Sequence, residues 1–198
     1  AGGLRLTFSM KMSGDINPNY VYFVAFNPSI DEVPIVQGPI PVISPPWGNG
    51  FVSGNATHFM RWDDFQSPKY QIYAFLNPTL LDFFAVGVPV QELTVGPGSR
   101  EIRFEIELGQ IAGTTPPENL KSIQLNFLTM NVVPQGSAGD KVWDALGNGT
   151  IPSEINDFAT IPLRVGIYNN ATFQFREPNG DCIDPGLDII DWQVEIRN

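Results

Sequence analysis

The residues that could do chemistry are few and far apart in the chain. There is one histidine, His58, and one cysteine, Cys182. A Cys–His dyad would need the fold to bring these two together and a third group to orient the base. A Ser-His-Asp triad would have to use the same His58, and no G-x-S-x-G segment presents its nucleophile. CxxC, HExxH, P-loop and GxGxxG segments are also missing, so zinc, nucleotide and dinucleotide chemistry lack their usual signatures. Paired carboxylates can cleave glycosides, but 21 Asp and Glu residues offer many pairs and nothing singles one out. The expectation is a protein that is not an enzyme.

Binding groups are easier to nominate. Glu177, Asn179, Asp181, Asp184 and Asp188 gather in a turn region rich in Gly and Pro. Among them Asp181, Asp184 and Asp188 are candidate ligands for Ca²⁺, which takes six to eight oxygens. Their spacing is not that of an EF-hand, and a solvated acidic turn has the same composition. No other cofactor is expected. The stretch Pro45-Pro46-Trp47-Gly48-Asn49-Gly50 forms a stiff loop that could hold the Trp47 indole outward to stack on a sugar, with Trp62 and Tyr70 as further stacking groups. Trp47 could equally close one end of a core, since Trp is well buried on average. Asn55, Asn148 and Asn170 head N-x-[ST] sequons, which mark exposed positions if the host glycosylates its surface proteins. Asn27 and Asn77 are followed by Pro and do not qualify.

The background composition points to a turn-rich sheet protein. Only 16% of the 198 residues are charged, while Gly and Pro number 19 and 18, well above ordinary usage. Hydrophobic residues at 42%, with 14 Phe, suffice for a core. The formal net charge of −10 would be repelled by a phosphate backbone, so no nucleic-acid partner is expected. No run approaches the length of a membrane helix, so no transmembrane segment is expected. The sequence opens Ala1-Gly2-Gly3 without Met, as a mature protein does after its signal peptide is removed. With the low charge, this gives an extracellular or cell-surface location as the expectation. One thiol cannot form an intrachain disulfide, so Cys182 says nothing about the redox compartment.

The elements that must position these groups read as strands. Leu4, Leu6, Phe8, Met10 and Met12 alternate with polar residues, a two-residue period that buries one face. Residues 20–26 are apolar on both faces, as in a strand between two layers. Pro34, Pro39 and Pro41 confine the next segment to an edge or an extended crossing. Residues 51–62 and 69–76 form a strand pair, and 80–88 is a strand or a connecting piece. Ile102, Phe104, Ile106 and Leu108 face inward, with Arg103, Glu105 and Glu107 in water. Ile123, Leu125, Phe127 and Thr129 mark another strand. Short helical turns are expected around 140–158, then strands over 161–167, 171–176 and 189–197.

Many short strands with turn signals between them predict an all-β fold, a single β-sandwich of jelly-roll or related topology over residues 1–198. The first strand has two possible fates. It pairs inside its own domain, or it leaves to complete a neighbour's sheet, with Leu4, Leu6, Phe8, Met10 and Met12 as interface knobs. Repeated head-to-tail, the second arrangement builds a filament of copies of the chain. Two functions follow as expectations. One is a secreted structural subunit that self-assembles by strand addition or sheet-edge packing. The other is a monomeric carbohydrate-binding module, stabilised by Ca²⁺, that uses Trp47, Trp62 and Tyr70.

Overall fold

A computed structural model describes residues 3–41, 51–131, 142–147, 157–171, 178 and 180–198. In chain order the first seven strands are β1 (Arg5–Met12), β2 (Val21–Ser29), β3 (Pro39–Pro41), β4 (Val52–Gly54), β5 (His58–Asp63), β6 (Tyr70–Phe75) and β7 (Phe83–Gly87). The remaining seven are β8 (Gln91–Glu92), β9 (Glu101–Glu107), β10 (Ser122–Met130), β11 (Trp143–Ala145), β12 (Ala159–Pro162), β13 (Gly166–Asn169) and β14 (Ile189–Arg197). Among the described residues the only helical pieces are two 3₁₀ turns, at Leu108–Ile111 and Pro117–Asn119. No helix is long and apolar enough to cross a membrane.

The protein is an all-β sandwich of two large antiparallel sheets. One sheet runs β13-β14-β1-β9-β8 and the other β11-β10-β2-β5-β6-β7, with β12 also paired to β10. Strict alternation places β1, β9 and β14 in the first sheet. Leu6, Phe8 and Met10 meet Val194, Trp192, Ile196, Ile102, Phe104 and Ile106 on the inner face. Phe8 sits at the centre, with ring centroids 5.0 Å from Phe26 of the opposite sheet and 5.3 Å from Phe104.

The two apolar faces of β2 have separate causes. Tyr22, Val24 and Phe26 point into the core between the sheets, whereas Val21, Phe23 and Ala25 point outward into a second cluster. The β3–β4 hairpin region covers that outer face: Phe51 stacks on Phe23 at 4.7 Å, and Val52 is fully buried beside it. The cover needs close backbone approach. Gly54 has φ +79°, and a Cβ there would stand 2.3 Å from the Gly38 carbonyl oxygen, so only glycine fits.

Of the two fates expected for β1, this chain's own fold shows the first: Leu6, Phe8, Met10 and Met12 are buried in the chain's own core, Leu4 packs against them, and β1 is paired along both edges. Donating the strand would open a channel between β9 and β14. The span 161–167 is not one strand, because the chain leaves β12 in one sheet and enters β13 in the other. Residues 143–145, expected in a helical turn, form β11 against β10. Glu105, expected in water, is buried on the outer face between Arg5 at 3.3 Å and Arg197 at 2.6 Å. The Arg197 hydrogen bond, chiefly, holds its carboxyl below the usual range.

Candidate functional site

Two regions place residues against the ordinary inside–outside rule, which is where binding is most often built. The first is a buried acidic cluster. Asp144 lies on β11, Asp188 immediately precedes β14, and Asp181 lies in the turn between. One carboxylate oxygen from each lies within 4.8 Å of the others. Asp144 is 2% exposed and Asp188 1%, and both oxygens of Asp181 are shut off from solvent.

Local backbone groups aim these carboxylates. Asp144 accepts from the Ala145 amide at 2.9 Å and the Ile189 amide at 2.7 Å, so it ties β11 to β14. Asp188 Oδ2 accepts from the Gly180 amide at 2.8 Å. Asp188 Oδ1 is buried with no hydrogen-bond partner among the described residues. The turn is fixed to the sheet from below, since Thr129 Oγ1 donates to the Leu187 carbonyl at 2.6 Å. Burial pushes the Asp144 carboxyl up to about 9, the Asp181 charge adds to it, and the two amide donors act against it. Three carboxylates this close need a proton or a cation to coexist. Cys182 is buried here too, its Sγ 3.5 Å from the Trp143 carbonyl oxygen, and burial pushes its thiol up to about 12.

Asp184, expected among the metal ligands, is engaged elsewhere: it accepts from the Tyr20 hydroxyl and the Gly186 amide. Asp144 takes its place, and proximity in sequence could not have found it. The available signal was one acidic residue inside the apolar run Trp143-Asp144-Ala145-Leu146.

The second region is an uncovered sheet edge. Among the described residues β7 has a strand partner on one side only, β6. From there the extended chain crosses to β8 in the other sheet. Along it Phe84, Val86, Val88 and Val90 are 48%, 44%, 44% and 41% exposed. A bulge between Ala85 and Gly87 interrupts the two-residue alternation, and Ala85 is exposed between Phe84 and Val86. No charged residue occurs from Phe83 to Val90, although Gly87 at the β7 bulge and Pro89 both resist strand pairing. At the far end of the five-stranded order, among the described residues, lies β13, with Val165 and Ile167 61% and 57% exposed.

The other nominated residues are accounted for individually. Trp62 and Tyr70 are each 2% exposed within the main core, so neither can stack on a glycan. Trp47 and Asn148 lie outside the described residues. Asn55 is exposed and Asn170 half-buried. His58 and Cys182 find different partners. The His58 Nδ1 lies 2.8 Å from Thr57 Oγ1, and burial on the core face of β5 lowers its pKa to about 4. A scan of protein-family models and searches of curated proteins and of solved structures found nothing that matches this chain.

Proposed function

We propose that this chain is a non-enzymatic, extracellular structural subunit that assembles with copies of itself by sheet-edge contact. The contact is the free edge of β7 with the apolar segment that follows it to Val90, whose Val88 carbonyl and Val90 amide are already engaged by Gln110 and Glu105, in place of the N-terminal strand. The observation that carries this reading is the exposed apolar run Phe84, Val86, Val88 and Val90 in a segment without charge. Edge strands expose unpaired N–H and C=O groups, and soluble monomers normally blunt them with Lys, Pro or a bulge; here a bulge opposite Ile72 and Tyr73 and Pro89 interrupt the edge, while no charge does. An apolar edge left open is a surface that a second chain can cover.

Geometry favours an open chain of subunits over a closed pair. β7 ends one sheet and leads into β8 of the other, while β13, with Val165 and Ile167 exposed, ends the far side of that second sheet among the described residues. Two different apolar surfaces on opposite sides make a head-to-tail contact, and such a contact propagates unless its rotation closes. Low charge and a turn-rich composition fit an extracellular setting.

Sedimentation velocity and negative-stain electron microscopy on the wild type and on Phe84→Lys/Val86→Lys test this. The expected result is elongated assemblies that grow with concentration in the wild type and a 21.8 kDa monomer in the variant. A wild type that stays monomeric at every concentration reached would refute the proposal.

A further inference from the structure

We infer that Asp144, Asp181 and Asp188 bind a divalent cation, and that Ca²⁺ is the ion their chemistry suits. The cluster alone would be an acidic turn. What makes it a site is the oxygen Asp188 Oδ1: the residue is 1% exposed, and this atom has no hydrogen-bond partner among the described residues. Buried carboxylate oxygens almost always find a donor, and one without a donor points to an unmet ligand. Among the described residues, neither Asp144 nor Asp188 forms an ion pair.

The donor set selects the ion. All three ligands are carboxylates, and the group that meets within 4.8 Å contains no imidazole or thiol, so it lacks the nitrogen and sulfur character of a zinc site. Mg²⁺ keeps several waters, whereas a buried cluster of carboxylates asks the ion to shed them, which Ca²⁺ does more readily. The carboxylates are also oriented in advance. Asp144 is held by the Ala145 and Ile189 amides and Asp188 by the Gly180 amide. A bound ion would join β11, the turn at 181 and the start of β14, three segments distant in sequence. The inference does not depend on the edge contact proposed above.

The test uses the full chain stripped with EDTA. Calorimetric titration with CaCl₂ should show one ion bound per chain, and a hundredfold excess over Kd should raise Tm by about 5–10 °C. Asp188→Asn should weaken binding at least about tenfold. In EDTA that variant should melt no lower than the wild type, because one of the crowded carboxyl groups can no longer ionise. If it fails to fold, the wild-type titration decides alone. No heat and no Tm shift with Ca²⁺ up to about 10 mM, a range that covers weak extracellular sites, would overturn the inference. Binding that survives Asp188→Asn unchanged would overturn it as well.

Discussion

Between β11 and the start of β14, three carboxylates occupy a space closed to solvent. From Phe84 to Val90, four apolar side chains stand in water. Each region invites a complement, and the complements differ in kind. A buried charge cluster needs an ion or a proton, which is small and diffusible. An exposed apolar edge needs a surface with its own unpaired strand groups, which another protein chain supplies. The first couples binding to the stability of the domain. The second should leave the domain unchanged and act between domains.

Paired substitutions put this contrast to the test. The largest effect is expected from removing one phenylalanine ring in each setting. Phe8→Ala should cost about 4 kcal/mol in chemical denaturation, because it empties the centre of the core. Phe84→Ala should stay within about 0.5 kcal/mol. A large loss at Phe84 would show that the edge is part of the fold.

Next comes Asp144→Ala. It strands the buried Ala145 and Ile189 amides and should cost about 3 kcal/mol in the same assay, even in EDTA. A neutral outcome would show that the carboxylate is dispensable as an internal cap.

Acid should expose another buried polar group. His58 is neutral in the fold, with a pKa near 4 against 6.5 in the unfolded chain. Its contribution is therefore complete above pH 6.5 and is lost as pH falls from 6.5 towards 4. The loss is about 3 kcal/mol, since each tenfold difference in proton affinity between the folded and unfolded chain is worth about 1.4 kcal/mol. The difference in stability between wild type and His58→Gln, measured across that window, checks it; a difference that does not vary with pH contradicts the burial argument.

The smallest change in stability is expected from Phe84→Lys/Val86→Lys, within about 0.5 kcal/mol by thermal melting, although assembly should be lost. Loss of both assembly and fold would leave the edge without a separate role.

Much of this architecture was legible in the sequence where one face is wet and one dry. β1 alternates cleanly and β9 does so except at Glu105, and their inner faces are the ones the pattern assigned. β2 was legible as a two-faced strand, though what covers its outer face was not, because the cover comes from short proline-limited segments. Pattern reading failed where polar residues are buried by pairing. On β10 Gln124 and Asn126 alternate with the apolar residues, yet both are fully buried and donate to the Val36 and Pro39 carbonyls of the segment lying over them. Glu105 was misread for the same reason, as two arginines from neighbouring strands cover it. The acidic cluster was half legible. Asp181 and Asp188 stand close in sequence, but Asp144 joins them only through the pairing of β11 with β10. The strand at β7 was visible, but its exposure was not, because a free edge is a property of the whole sheet order.

Hydrogen–deuterium exchange on the wild type, at concentrations below and above assembly, would decide between the two edges. Amides in 83–90 and in β13 should become protected as concentration rises, while β1 exchanges slowly throughout. Unchanged exchange at 83–90, or release of β1 on assembly, would contradict the edge contact and return it to the N-terminal strand.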